Sequence, residues 1–277
     1  MGNKRLWHSI IGLGAVGLGA VAAALMVLDA TAAPDLTDPA LKDYIAGERY
    51  SGYVVNTSET RAMQDDDFEN PASMWVEQAE ELWDLNEGKA DKSCASCHTD
   101  DPNALKGIAA RYPKVVDGKL VTIEHRIGQC RTERMGAPAW KWESDEMLGM
   151  SALVRLQSRG MPVDVGIDGE AAPFFQQGKA FYHQRRGALD MACYQCHVLN
   201  HGNKLRSDQL SMGMPNGFPT YRLKWQKLGS LHRRFRGCNK NVRAEPYKQG
   251  SPEYTALELY VMHRARGLPI ESPSVRK

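Results

Sequence analysis

Large apolar residues recur one or two helical turns apart at four places in the chain, with charged or small residues between them. Trp75-Val76-Glu77-Gln78-Ala79-Glu80-Glu81-Leu82-Trp83 is the first such run, and its spacing predicts an amphipathic helix. Phe174-Phe175-Gln176-Gln177-Gly178-Lys179-Ala180-Phe181-Tyr182 is the second. Met147 to Gln157 and Tyr254 to Arg264 also read as helices. Each is closed by a matching stretch, Ser158-Arg159-Gly160-Met161-Pro162-Val163 and Ala265-Arg266-Gly267-Leu268-Pro269-Ile270. No strand pattern of any length appears, so the expected fold is mainly α, with short helices around Gly/Pro-rich loops. Residues 163–173 carry no periodicity and read as a linker. Residues 33–70, with Asp65-Asp66-Asp67 and scattered polar positions, read as an extended or loosely structured N-terminal segment.

The helical patterns fall into two series with the same landmarks in the same order. In each, an aromatic helix and a Gly-Lys-Ala (Gly88-Lys89-Ala90 and Gly178-Lys179-Ala180) precede a C-x-x-C-H pentapeptide, Cys94 to His98 and Cys193 to His197. A lone cysteine follows, Cys130 at 32 residues after His98 and Cys238 at 41 after His197. The closing arginine comes 29 residues after Cys130 (Arg159) and 28 after Cys238 (Arg266). Such repetition predicts duplication of one unit, with an N-terminal unit over 71–162 and a C-terminal unit over 174–277.

The first residues change the picture of where this chain works. Met1-Gly2-Asn3-Lys4-Arg5 is basic, Ser9 to Leu28 is apolar and rich in Gly and Ala, and Ala30-Thr31-Ala32 is an A-x-A site. That order predicts a secretory signal peptide over 1–32, removed in the mature protein. A retained anchor is the alternative, since the run is about long enough to span a bilayer, but its Gly and Ala make it weakly hydrophobic and no retained anchor is expected. Export to the periplasm follows, and it excludes cytosolic and nuclear roles.

Net charge is only +2, yet it is unevenly placed. Pro34 to Asp100 holds 16 acidic against 5 basic residues, a balance of −11, and His201 to Lys277 holds 15 basic against 5 acidic, a balance of +10. A basic C-terminal part favours small anions or an acidic protein surface as partners; nucleic acid is a poor partner for an exported protein.

C-x-x-C-H is the attachment signature of c-type haem. Two copies imply two covalently bound haem c groups, held by thioethers at Cys94, Cys97, Cys193 and Cys196, with His98 and His197 as iron ligands. A C-x-x-C redox pair or zinc site is the competing reading. Cys130 and Cys238 could pair in a disulfide, be inert buried thiols, or each supply the sixth ligand to the haem of its own half. Their equivalent positions favour ligation, because a duplicated position implies the same local task twice. Methionine ligation, by Met161, Met212 or Met214, is the runner-up. Cys238 also stands in a run of arginines, Arg233-Arg234-Phe235-Arg236, and neighbouring positive charge stabilises a thiolate. Arg126 matches Arg234, four residues before its cysteine, whereas Arg236 and Arg264 match Gly128 and Gln157, so the second half gains positive charge.

These motifs, with Ile127-Gly128-Gln129-Cys130, Arg234-Phe235-Arg236-Gly237-Cys238 and Glu258-Leu259-Tyr260-Val261-Met262-His263-Arg264, resemble the SoxA family, the dihaem cytochrome c subunits of SoxAX complexes in periplasmic thiosulfate oxidation. The resemblance spans nearly the whole mature chain, with no departure at the haem or cysteine positions. It implies two cytochrome c-like domains and oxidative coupling of thiosulfate to a cysteine of the SoxYZ carrier, an L-cysteine S-thiosulfotransferase activity that passes two electrons to a c-type cytochrome. It further implies a monohaem SoxX partner and a catalytic Cys238 that is also the distal ligand of the C-terminal haem. Cys130 would ligate the N-terminal haem. Arg234 and Arg264 would bind substrate, and Arg236 adds to the same positive surround. The alternative is a non-catalytic dihaem electron carrier with Met or His distal ligands.

Overall fold

The four predicted helices are the frame of the molecule in the computed structural model, which is described over residues 34–205 and 208–277. After a 3-10 turn at Pro39–Tyr44 come β1 (Ile45–Ala46), β2 (Arg49–Tyr50) and α1 (Ser58–Asp65). α2 (Ser73–Asp84), α3 (Ala95–His98), the β3–β4 hairpin (Lys114–Val116 and Lys119–Val121), α4 (Ile123–Gln129) and α5 (Asp145–Leu156) follow, α4 running on through a π-helical turn at Cys130–Met135. The second half has α6 (Ala172–His183), α7 (Cys193–His197), β5 (Lys204–Leu205), β6 (Asp208–Gln209), β7 (Thr220–Arg222), β8 (Lys227–Gly229), α8 (Leu231–Asn241), α9 (Pro252–Arg264) and β9 (Ser274–Arg276).

The caps are local and legible. Ser144 Oγ accepts from Met147 N (3.4 Å) at the start of α5, and Ser251 Oγ accepts from Tyr254 N (3.3 Å) at the start of α9. A hydroxyl at the N-cap satisfies one of the backbone donors that a helix start leaves open. The cysteine-bearing helices share one cap geometry, with Thr122 Oγ1 accepting from His125 N (3.3 Å) in α4 and Ser230 Oγ from Arg233 N (3.1 Å) in α8. Both caps sit eight residues before their cysteine.

In each half two helices cross at backbone contact. A Cβ on Gly149 of α5 would lie 2.4 Å from the Trp75 carbonyl oxygen of α2, and one on Gly178 of α6 would lie 2.0 Å from that of Ala256 in α9. Neither crossing could close around a larger residue. Gly178 therefore does a different job from Gly88, which takes a left-handed φ in the turn after α2, and the two Gly-Lys-Ala stretches are not structural equivalents. The α2–α5 core gathers Ala72, Val76, Ala79, Trp83, Leu148 and Leu153, and the α6–α9 core gathers Phe181, Tyr182, Tyr254, Leu257 and Val261. A side chain of this size contributes about 1.5–3 kcal/mol when fully buried.

Three expectations are corrected. Residues 34–70 are neither extended nor loose: Tyr44 stacks on Tyr53 with ring centroids 3.8 Å apart, and Tyr50, Tyr53 and Val54 are buried. This segment docks on the far end of the chain, where Asn56 Nδ2 donates to the Val275 carbonyl (3.1 Å) and Asn70 Nδ2 to that of Pro273 (3.1 Å). Residues 163–173 are packed as well, with Val163 and Val165 buried and Val163 N bonded to the Leu268 carbonyl (2.9 Å). Strands do occur, none among those described longer than three residues, including a three-stranded sheet in which β7 pairs antiparallel with β8 and parallel with β9. No helix among the described residues is long and apolar enough to cross a membrane; the predicted leader over 1–32 lies outside them.

Candidate haem and thiol centre

α7 is little more than the second C-x-x-C-H motif wound into one turn, which brings Cys193 and Cys196 to one side and His197 to its end. Its start is held by Gln195 Oε1, which accepts from Ala192 N (2.7 Å). His197 Nδ1 lies 2.8 Å from the Ser211 carbonyl. A carbonyl only accepts, so the ring proton sits on Nδ1 and the lone pair on Nε2 is left to bind a metal. Gly213 presses on the same ring: it takes φ +70°, and a Cβ there would lie 2.8 Å from His197 Cγ. Met212 and Met214 flank that glycine, so they belong to the loop backing His197, and Met214 is buried against Ala265 and Leu268. Met212 packs against the same cluster.

α8 faces this motif from the other side. Its Arg234 and Cys238 are four residues apart and share a helix face. The Cys238 thiol is partly buried, and burial alone would push it up; Arg234, a hydrogen bond with His197 and Arg222 outweigh burial and bring it down to about 7. Cys193 goes the other way, pushed up to about 12 by burial and by the neighbouring Cys238. His197, the C-x-x-C pair and Cys238 are thus gathered in one place.

The first half has the same parts with a different charge balance. α3 ends on His98, whose basicity is lowered by burial and by Arg126. Burial raises Cys130, and although Arg126 and Arg134 oppose it, Cys97 and Glu133 add to the rise. Burial likewise pushes Cys94 up to about 11. The two lone cysteines therefore differ in sign of shift: Cys130 is held as a thiol and Cys238 is drawn toward the thiolate. All six cysteines are free, so no disulfide joins Cys130 to Cys238.

The arginines divide unexpectedly. Arg236 Nη1 donates to the Tyr247 carbonyl. Arg264 Nη1 donates to Tyr182 Oη and to the Met212 carbonyl (3.2 Å), in the loop that backs His197, which leaves the rest of its guanidinium fork for an anion. Arg222, which the sequence did not single out, joins Arg234 at the thiol. It is brought in by the β7–β8 hairpin leading into α8, and Trp225 lies under both Arg222 (5.1 Å) and Arg233 (4.4 Å). Burial and the nearby Arg234 hold the Arg222 guanidinium down at about 10. Two crowded cations beside one sulfur make a site that gains from a bound anion. No single-residue signal marks Arg222, because it reaches the site through a hairpin.

The residues fit a c-type haem. In each half two thiols stand beside a histidine on a one-turn helix, and in the second half Cys238 meets His197. Leu189, Val198, Leu199 and Leu205, around the second motif, expose 43–65% of their surface, the kind of apolar area that a porphyrin covers.

Comparison with known proteins agrees. The family model "SoxA/TsdA, cytochrome c domain" matches residues 78–163 and 177–270. The L-cysteine S-thiosulfotransferase subunit SoxA of Rhodovulum sulfidophilum is 46% identical over 228 residues, covering 82% of this chain and 79% of that protein. That of Paracoccus pantotrophus is 46% identical over 229 residues, with the same coverage. The crystal structure of SoxXA from P. pantotrophus superposes with a TM-score of 0.80 at 45% identity, covering 83% of this chain and 87% of the matched one.

Proposed function

Since this chain belongs to the SoxA family of L-cysteine S-thiosulfotransferase subunits, a cytochrome c fold carrying covalent haem c, we propose that its C-terminal half is the seat of that activity. The observation that carries the assignment is the partly buried Cys238 thiol in contact with His197 in the combined field of Arg234 and Arg222. The reaction joins the outer sulfur of thiosulfate to a cysteine of the SoxYZ carrier: carrier–SH and thiosulfate give carrier–S–S–SO3⁻, one proton and two electrons. The S–H bond breaks, the S–S bond forms, and the electrons leave toward a c-type cytochrome. Covalent haem, when bound, would supply a one-electron acceptor.

This chain's own residues bind and orient. Arg234 and Arg222 offer planar, permanently charged forks to a dianion, and Arg264 and Arg236 complete the positive surround. Cys193 and Cys196 would hold the second haem and His197 and Cys238 would bind its iron; Cys94, Cys97, His98 and Cys130 would do the same for a first. Two matches to one family model and the paired helix crossings support two duplicated cytochrome units, over 71–162 and 174–277, joined through 163–173 and preceded by 33–70. A monohaem SoxX partner fits the likeness to SoxXA, and a periplasmic site fits the predicted leader. Replacing Cys238 by Met tests the assignment: thiosulfate-dependent electron release to the acceptor, measured with the carrier present, is expected to fall to background while haem content is kept. Full activity in Cys238→Met would sink the catalytic role.

A further inference from the structure

A run of buried polar groups lies between the two helix pairs, and the thiol chemistry makes no use of it. It begins at the N-terminus of α4, where Thr122 N–H donates to His125 Nδ1 (3.2 Å). The ring proton is therefore on Nε2, which donates to the Gly250 carbonyl (3.2 Å). Gly250 N–H in turn donates to His232 Nδ1 (2.9 Å), so His232 is the same tautomer. Its Nε2 lies 3.1 Å from Glu258 Oε2, in electrostatic contact without the alignment of a hydrogen bond. Arg155 Nη2 then stands 3.5 Å from Glu258 Oε1 and 3.7 Å from Glu124 Oε1, and Glu124 accepts from Ser151 Oγ (2.9 Å). His232, Glu258, Arg155 and Glu124 are all buried. Trp142 closes the run, stacked on His232 with centroids 4.9 Å apart and edge-on to His125 at 4.9 Å. The junction favours glycine: Gly250 takes φ +74°, and a Cβ there would lie 2.7 Å from the Trp142 ring.

Both ends of this run are the starts of helices that carry a lone cysteine. His125 precedes Cys130 by five residues and His232 precedes Cys238 by six. The backbone of one residue thus ties α4 to α8, its N–H donating to His232 and its carbonyl accepting from His125. We propose that His125 and His232, joined through Gly250, are positioning residues that fix α8 against α4, so that the placement of Arg234 and Cys238 depends on a side chain of the other half. The proposal rests on the reading of Cys238 as iron ligand and active thiol.

The test uses the full haem-loaded protein with its partner subunit. His232→Phe keeps a ring to stack on Trp142 and removes both ring nitrogens, whereas His232→Gln keeps an acceptor and a donor at similar separation. His232→Phe is expected to change the electron paramagnetic resonance signal of the C-terminal haem. It should also raise KM for thiosulfate about three- to tenfold, with a smaller change in kcat. His232→Gln restores both, and His125→Phe, a change confined to the first half, reproduces the altered C-terminal signal. Equal behaviour of Phe and Gln at 232, or a C-terminal signal untouched by His125→Phe, overturns the proposal. If His232→Phe takes up no haem, the His125→Phe arm decides. Amide hydrogen exchange separates the two readings. Protection of Gly250 N–H that is lost in both Phe variants supports the relay whatever ligates the iron, and its persistence overturns the relay. A wild-type spectrum without a thiolate signature removes the Cys238 reading alone.

Discussion

Arg222 and Arg126 carry the same charge near equivalent thiols, and their surroundings separate their roles. Arg126 works against a burial that still wins at Cys130; Arg222 adds to Arg234 and His197, and together they win at Cys238. Replacing Arg222 by Ala should therefore weaken thiosulfate binding. Loss of a charge-assisted hydrogen bond is worth about 1.5–3 kcal/mol, so KM should rise on the order of tenfold to a hundredfold, read from steady-state electron release. Arg126→Ala should leave KM for thiosulfate unchanged. A comparable rise in both would mean that the arginines serve haem binding in general and not the substrate. Arg234 was legible in the sequence because it shares a helix face with Cys238. Arg222 was not, because a hairpin and a Trp225 platform bring it there, and neither leaves a mark in local spacing.

At the scale of the element, the decisive contacts are the helix crossings. α9 carries Arg264 at its C-terminal end, and its distance from α6 is set by Gly178 against the Ala256 carbonyl. Gly178→Ala adds one methyl where no space exists. Overpacking of this kind costs about 1–3 kcal/mol, and thermal unfolding is expected to show a lower Tm. The same change pushes α9 away from Tyr182, to which Arg264 is bound, so KM for thiosulfate should rise as well. An unchanged Tm would show that the helices part freely at this point. The crossing helices were readable because their apolar residues repeat within a turn or two. Residues 34–70 were not, since Ser51 and Gln64 bond to Glu271, more than 200 positions away, and such pairing leaves no period in the sequence.

The molecule as a whole is joined at its middle by charge, and this makes its stability depend on pH in a stated direction. Glu124 is fully buried; burial alone would raise its carboxyl, but Arg155 and hydrogen bonds from Thr122 and Ser151 more than reverse that, and it is held below the usual carboxylate value of 4.5. A carboxyl with a depressed folded-state pKa stabilises the fold above its unfolded pKa, and the contribution is lost as pH falls through the folded value. Glu124→Gln removes one partner of Arg155 while Glu258 keeps the other. Removing one side of a buried pair costs about 3 kcal/mol, so at pH 7 the variant should melt well below the wild type. Below pH 4.5 the unfolded chain takes up the proton first, and the contribution is gone once pH has fallen through the lower folded value, so the gap should narrow. Melting curves taken from pH 7 to pH 3 decide the matter: a gap that stays constant across that range would mean that Glu124 acts by shape and not by charge.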